Sequence, residues 1–169
     1  MKSVVNELLE QVKSENDEVR EEAILQMAML LEQNSSCPAP LNFYKTVLPS
    51  HEQQELIATL GGLIISEKMT PSMLWALGKA TSMTALVPLL AWLRDSGDRQ
   101  DEWATWQALI AIDNFLGSEI DGIRDCQVAD IIHNSDPTLS LQKILETGHP
   151  RLKKLAQKLL NRITIKSQT

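Results

Sequence analysis

Between Met73 and Leu116 apolar side chains recur at every third or fourth position, and only two short turns interrupt them. That spacing lays a stripe along an α-helix and does not fit a strand, whose side chains alternate between faces. No other stretch of the chain shows sustained period-two alternation of β-branched residues. The same stretch holds all four tryptophans of the protein. A chain patterned in this way buries its apolar surface by packing helix on helix.

The helical pattern extends in both directions. Val4, Val5, Leu8, Leu9 and Val12 predict a first helix over 3–12. Ser14 to Asp17 forms a turn, with Asn16 or Asp17 capping a second helix that runs to about Gln33. Val19, Ala23, Met27 and Leu30/Leu31 are its inward residues, and its acid-rich first turn suits the positive end of the helix dipole. Residues 34–42, with two prolines and two serines, read as the longest irregular segment, and 43–48 as one extra helical turn. Ser50 to Gln53 fits a capping box for a helix to about Glu67. Gly61 and Gly62 inside it each cost about 1 kcal/mol relative to alanine, which close approach of a neighbouring helix explains.

Thr70-Pro71 caps and starts a short helix ending near Gly78, and Thr81 or Ser82 opens the next. Met83, Leu86, Leu89, Leu90 and Leu93 face inward there, and Pro88 predicts a bend. Asp98 is read as the cap of a helix from about Gln100 to Leu116. After a turn over 117–122, helices follow at 123–133, from Asp136-Pro137 to Gly148, and from Pro150 to about Ile163. Residues 1–169 are expected to form a single domain with a flexible C-terminal tail at 165–169.

Four of these helices share an apolar, small or apolar, apolar spacing of four: Val19/Ala23/Met27, Met69/Met73/Leu77, Ala104/Ala108/Ile112 and Leu152/Ala156/Leu160. Each follows another amphipathic helix, which gives about four helical hairpins. Within them, Ala76-Leu-Gly-Lys-Ala, a short turn, and a helix with an internal proline and a closing aspartate at Asp95 resemble the HEAT repeat, in the variety found in phycobilin lyases. Asp17 to Ala23 resembles the opening of that family's second helix, and Pro150 to Ala156 does so more loosely. The arginine of the pattern is present as Arg20, while the equivalent positions carry Thr70, Thr105 and Lys153. The resemblance covers about half the chain and implies a short right-handed α-solenoid of degenerate HEAT-like hairpins. It also implies, as an alternative function, a bilin lyase or a lyase-associated chaperone of phycobiliproteins.

Chemistry-bearing motifs are sparse. GxSxG, the P-loop and GxGxxG are absent. His51, His133 and His149 are scattered. His51-Glu52 is one pair of the kind that a HEAT-repeat di-iron hydroxylase needs several times over, so no metal and no cofactor is assigned. Asp121/Asp125 and Asp98/Asp101/Glu102 read as solvated turns and helix starts rather than catalytic carboxylates. Cys37 and Cys126 belong to no CxxC and read as free thiols. A net charge of −6 makes nucleic acid an unlikely partner. The N-terminus carries charge too early for a secretory segment, and the apolar run from Leu60 to Ile65 is too short to span a bilayer. The expected setting is the cytoplasm, with no membrane contact.

What remains is binding. Residues 143–166 hold seven Lys/Arg against Glu146 alone. Lys153, Lys154, Lys158 and Arg162 take one face of the last helix, opposite an apolar stripe: a solvated outer face, or a docking site for an acidic protein or a nucleic-acid backbone. On the helix at 103–116, Ala104, Ala108, Ala111, Ile112 and Phe115 form one face. Trp103, Trp106 and Ile110 form a second, which is either covered by a neighbouring hairpin or left for a partner, where tryptophan is enriched. The sequence reading is therefore a non-enzymatic protein-protein interaction module, a scaffold, adaptor or immunity-type protein. Its partner is another protein, met at Trp103, Trp106, Ile110, Lys153, Lys154, Lys158 and Arg162. Of the two tryptophans, Trp106 is expected to be buried between hairpins and Trp103 to be partly exposed.

Overall fold

The computed structural model describes residues 3–33, 48–80, 82–95, 101–117 and 130–167. Among them every regular element is helical and none is a strand. In chain order the helices are α1 (Val4–Gln11), α2 (Asp17–Gln33), α3 (Ser50–Ile64), α4 (Pro71–Lys79), α5 (Met83–Asp95), α6 (Glu102–Gly117), α7 (Thr138–Thr147) and α8 (Pro150–Ser167). Residues 130–135 are helical as well. No helix among the described residues is long and apolar enough to cross a membrane.

Local chemistry accounts for several starts and stops. Ser3 caps α1 by accepting from the Asn6 amide at 3.2 Å. Asn16 Oδ1 accepts from the amides of Glu18 and Val19, satisfying two of the donors that a helix start leaves open. Arg20 folds back over that turn, donating to the Ser14 carbonyl at 3.2 Å and to Asp17 at 2.6 Å. Pro71 opens α4 behind Thr70, as read from the sequence, although the Thr70 hydroxyl meets Ser72 rather than a backbone amide. Two other caps differ from expectation. Helix α3 begins at Ser50 itself behind Pro49, so the serine is already inside the helix and forms no capping box; Gln53 instead donates to the Leu48 carbonyl. At α6 the cap is Asp101, whose Oδ1 accepts from the Ala104 amide at 3.0 Å. Asp98, the segment at 34–47, and most of the helix expected at 123–133 lie outside the described residues, though Ile132 is buried. Helix α8 continues to Ser167, four residues past Ile163.

Consecutive helices pack in pairs: α1 with α2, α3 with α4, α5 with α6 and α7 with α8. The second members also pack in series, α2 on α4, α4 on α6 and α6 on α8. The first members do so as α1 on α3, α3 on α5 and α5 on α7. One continuous core runs between these two rows. Leu56, Leu60 and Ile64 of α3, Met73, Leu74 and Leu77 of α4, and Leu86, Leu89 and Leu90 of α5 are completely covered.

Each junction in the α2, α4, α6, α8 row uses a different device. Between α2 and α4, Lys79 pairs with Glu32 at 3.1 Å while its ammonium lies 5.5 Å from the centre of the Trp75 ring. Between α4 and α6 the backbones nearly touch: a Cβ on Gly78 would sit 2.7 Å from Ala111 Cβ. Between α6 and α8, Lys158 and Arg162 converge on Asp113 at 2.8 and 3.1 Å, and Arg162 also donates to the Asp113 carbonyl. In the other row, a Cβ on Gly61 would meet the Pro88 ring at 3.2 Å, so the glycine and the internal proline explain each other. A Cβ on Gly62 would meet nothing within 4 Å among the described residues, so the close approach expected there is not seen.

Inward faces follow the sequence stripes apart from two exposed residues, Val4 at 62% and Val19. Val19 is 38% exposed because it lies in the first turn of α2, ahead of the covered stretch formed by Ala23, Ile24, Met27, Ala28 and Leu31. Ala108 and Ala156 are fully buried. Leucine at either position is expected to lower stability by roughly 1–3 kcal/mol through overpacking. Urea unfolding of the two single variants checks this, and unchanged midpoints in both refute the helix register.

Candidate functional site

Helix α6 is apolar nearly all round, so one neighbour cannot cover it. Ala104, Ala108, Leu109, Ala111, Ile112 and Phe115 are buried at 4% exposure or less. Among the described residues α6 packs on α4, α5 and α8, and the Asp113 clasp ties α8 to it. Lys158 and Arg162 are bound near the C-terminal half of α6. The first turn of α8 therefore comes beside the first turns of α6.

There the two helices leave an open groove of about 720 Å³. Glu102, Trp103 and Trp106 line it from α6; His149, Arg151 and Leu152 line it from the start of α8. This volume falls within the range of about 300–1,000 Å³ of small-ligand and peptide-anchor pockets. Leu152, 6% exposed, is the most deeply set of the six. Trp103 stands 62% exposed in the first turn of α6. Trp106, one turn on, is half-buried and packs on the core while still lining the groove, so it is less enclosed than the sequence suggested. Ile110 continues the same face and is also half-buried.

The basic residues separate into two groups. Lys158 and Arg162 hold Asp113, whose side chain is only 14% exposed, and so join α8 to α6. Arg151, Lys153 and Lys154 form no ion pair among the described residues, and Arg151 lines the groove itself. His149 accepts the Arg151 amide on its Nδ1 at 3.4 Å, which caps α8 and leaves Nε2 as the other ring position for a ligand.

Sequence reasoning identified Trp103 and Trp106 but noted His149 only as one of three scattered histidines and did not single out Arg151. Both are more than forty positions from the tryptophans in the chain, and no local pattern marks them. The signal that pointed toward them was the excess of Lys/Arg after residue 143. His51 and His133 are exposed and far from this groove in sequence, and no group of three or more potential metal ligands occurs among the described residues.

The tryptophan geometry has a direct readout. In single-tryptophan variants, iodide is expected to quench Trp103 strongly, Trp106 weakly and Trp92, 3% exposed, least of all. Equal shielding of Trp103 and Trp106 would remove the main support for this face as an interface. Comparison with known proteins adds no relative: no family model, no curated protein and no solved structure matches the chain.

Proposed function

We propose that this chain is a short right-handed α-solenoid of degenerate HEAT-like hairpins, and that it acts as a non-enzymatic protein-binding module through the groove between α6 and α8. The solenoid reading draws support from the two rows of serially packed helices. The binding reading rests on one observation: Trp103 is 62% exposed at the mouth of an open groove that a second tryptophan also lines. A large aromatic side chain in water gains nothing for the monomer, and tryptophan is the residue most enriched at the energetic centres of interfaces.

Trp103→Ala separates binding from folding. Its unfolding free energy is expected to stay within about 0.5 kcal/mol of the parent, as for a surface substitution. Proteins recovered on the immobilised parent chain from the native host, identified by mass spectrometry, are expected to be lost from the variant. A stability loss of about 3 kcal/mol or more would make Trp103 a core residue and end this reading. An unchanged set of recovered proteins would end it as well.

A further inference from the structure

The charges around the groove indicate what enters it. We infer that the groove takes an acidic peptide segment, one in which Asp or Glu flanks an aromatic or large aliphatic side chain; this rests on the protein-binding reading above. The apolar side chain goes against Trp103, Trp106 and Leu152, and the flanking carboxylates go to Arg151 and the neighbouring cations of α8.

Three observations carry this choice. Helix α8 contains no acidic residue from Pro150 to Ser167, and five of its six Lys/Arg fall into the two groups already described. Arg151 lines the groove, Lys153 and Lys154 follow it within the first turns of the helix, and none of the three forms an ion pair among the described residues, although Glu102 lines the same groove. The chain as a whole carries −6, so a local cationic corner beside exposed tryptophan stands against the prevailing charge. Cations held without partners at an aromatic groove select for an anionic ligand, and a guanidinium pairs with a carboxylate in bidentate fashion.

A nucleic-acid strand shares the chemistry of stacking plus cations and fits less well. The few cations of the first turns of α8 release few counter-ions from a polyphosphate, and the rest of the acidic surface repels a long anion. A peptide presents its carboxylates locally and avoids that repulsion.

The test selects peptides from a random dodecapeptide display library on the full-length protein. Individual peptides are then measured by fluorescence anisotropy against Trp103→Ala, Arg151→Glu and, as a distant charge reversal, Lys13→Glu. Circular dichroism first establishes that all three variants are folded; should Arg151→Glu not fold, Lys154→Glu replaces it. The expected result is enrichment of Asp/Glu around one aromatic or large aliphatic residue. Affinity should fall at least about tenfold in Trp103→Ala and in Arg151→Glu, stay within about twofold in Lys13→Glu, and weaken with added salt.

Enrichment of basic or uncharged peptides that still depend on Trp103 would overturn the acidic chemistry and leave the groove as a binding site. No enrichment, or binding indifferent to Trp103→Ala, would overturn the groove reading together with it. Loss in Lys13→Glu equal to that in Arg151→Glu would reduce the effect to net charge and overturn the site. A single-stranded twelve-nucleotide RNA bound as tightly as the best peptide would overturn the choice of peptide.

Discussion

Trp92→Ala is expected to cost about 3–5 kcal/mol, a large part of the stability of a domain this size. Trp92 is a buried residue of α5, a helix that packs against α3, α4, α6 and α7. It is 3% exposed, in contrast to Trp103 on the next helix. A void of indole size in the core cannot close without moving the surrounding helices, which places the loss in the upper range for large-to-small changes. The indole has a second property. Its Nε1 is buried and has no hydrogen-bond partner among the described residues. An unmet buried donor costs about 1–3 kcal/mol, so the native residue already carries a penalty that phenylalanine lacks. Trp92→Phe gives up some apolar contact but removes that donor, and the two changes offset to within about 1 kcal/mol. Urea unfolding of the pair decides the matter: a large loss in Trp92→Phe as well would mean that indole volume alone matters and that the orphan donor is harmless.

The helices were readable because their signals are local. Asn16, Thr70-Pro71 and Pro150 mark starts within a few residues of the stripe they introduce, and the stripe of α5 predicted its buried set closely. The capping errors at Ser50 and Asp98 have the same local origin in reverse. Several polar residues precede each of those helices, any of them could cap, and one or two positions decide which amide is in reach. The site was only half readable for a different reason. Periodicity reports that a face of α6 is apolar, not what covers it. Coverage of Trp106 and exposure of Trp103 depend on where α8 crosses, and that crossing is set by Asp113 with Lys158 and Arg162, contacts that span 45 and 49 residues of chain. Two of the basic residues read as a docking face are used in this clasp. The charge excess was visible in the sequence, but its division into a structural pair and an outward-facing cluster required the packing.

Gly78→Val is expected to destabilise by about 3 kcal/mol, against the direction that helix propensity alone gives. Glycine within a helix is worse than other residues by about 1 kcal/mol, so filling it should help wherever space allows. Gly62 is such a place, and Gly62→Ala is expected to add about 0.5–1 kcal/mol. At Gly78 the new Cβ would lie 2.7 Å from Ala111 Cβ and 3.2 Å from Ala111 Cα. The second of these is a backbone atom, so the strain cannot be relieved by rotating a side chain. Helices α4 and α6 must therefore separate to admit it. Overpacking of this kind costs about 1–3 kcal/mol and occasionally more, and valine adds two methyl groups to the clash, so it exceeds the propensity gain. The cause can be isolated by Ala111→Gly in the Gly78→Val background. That second change removes the facing Cβ and should restore part of the lost stability, although alone it costs about 1 kcal/mol. The two therefore couple, as residues in direct contact do. Additive losses in the double variant, or a melting temperature for Gly78→Val equal to that of the parent, would show that α4 and α6 do not meet at this glycine.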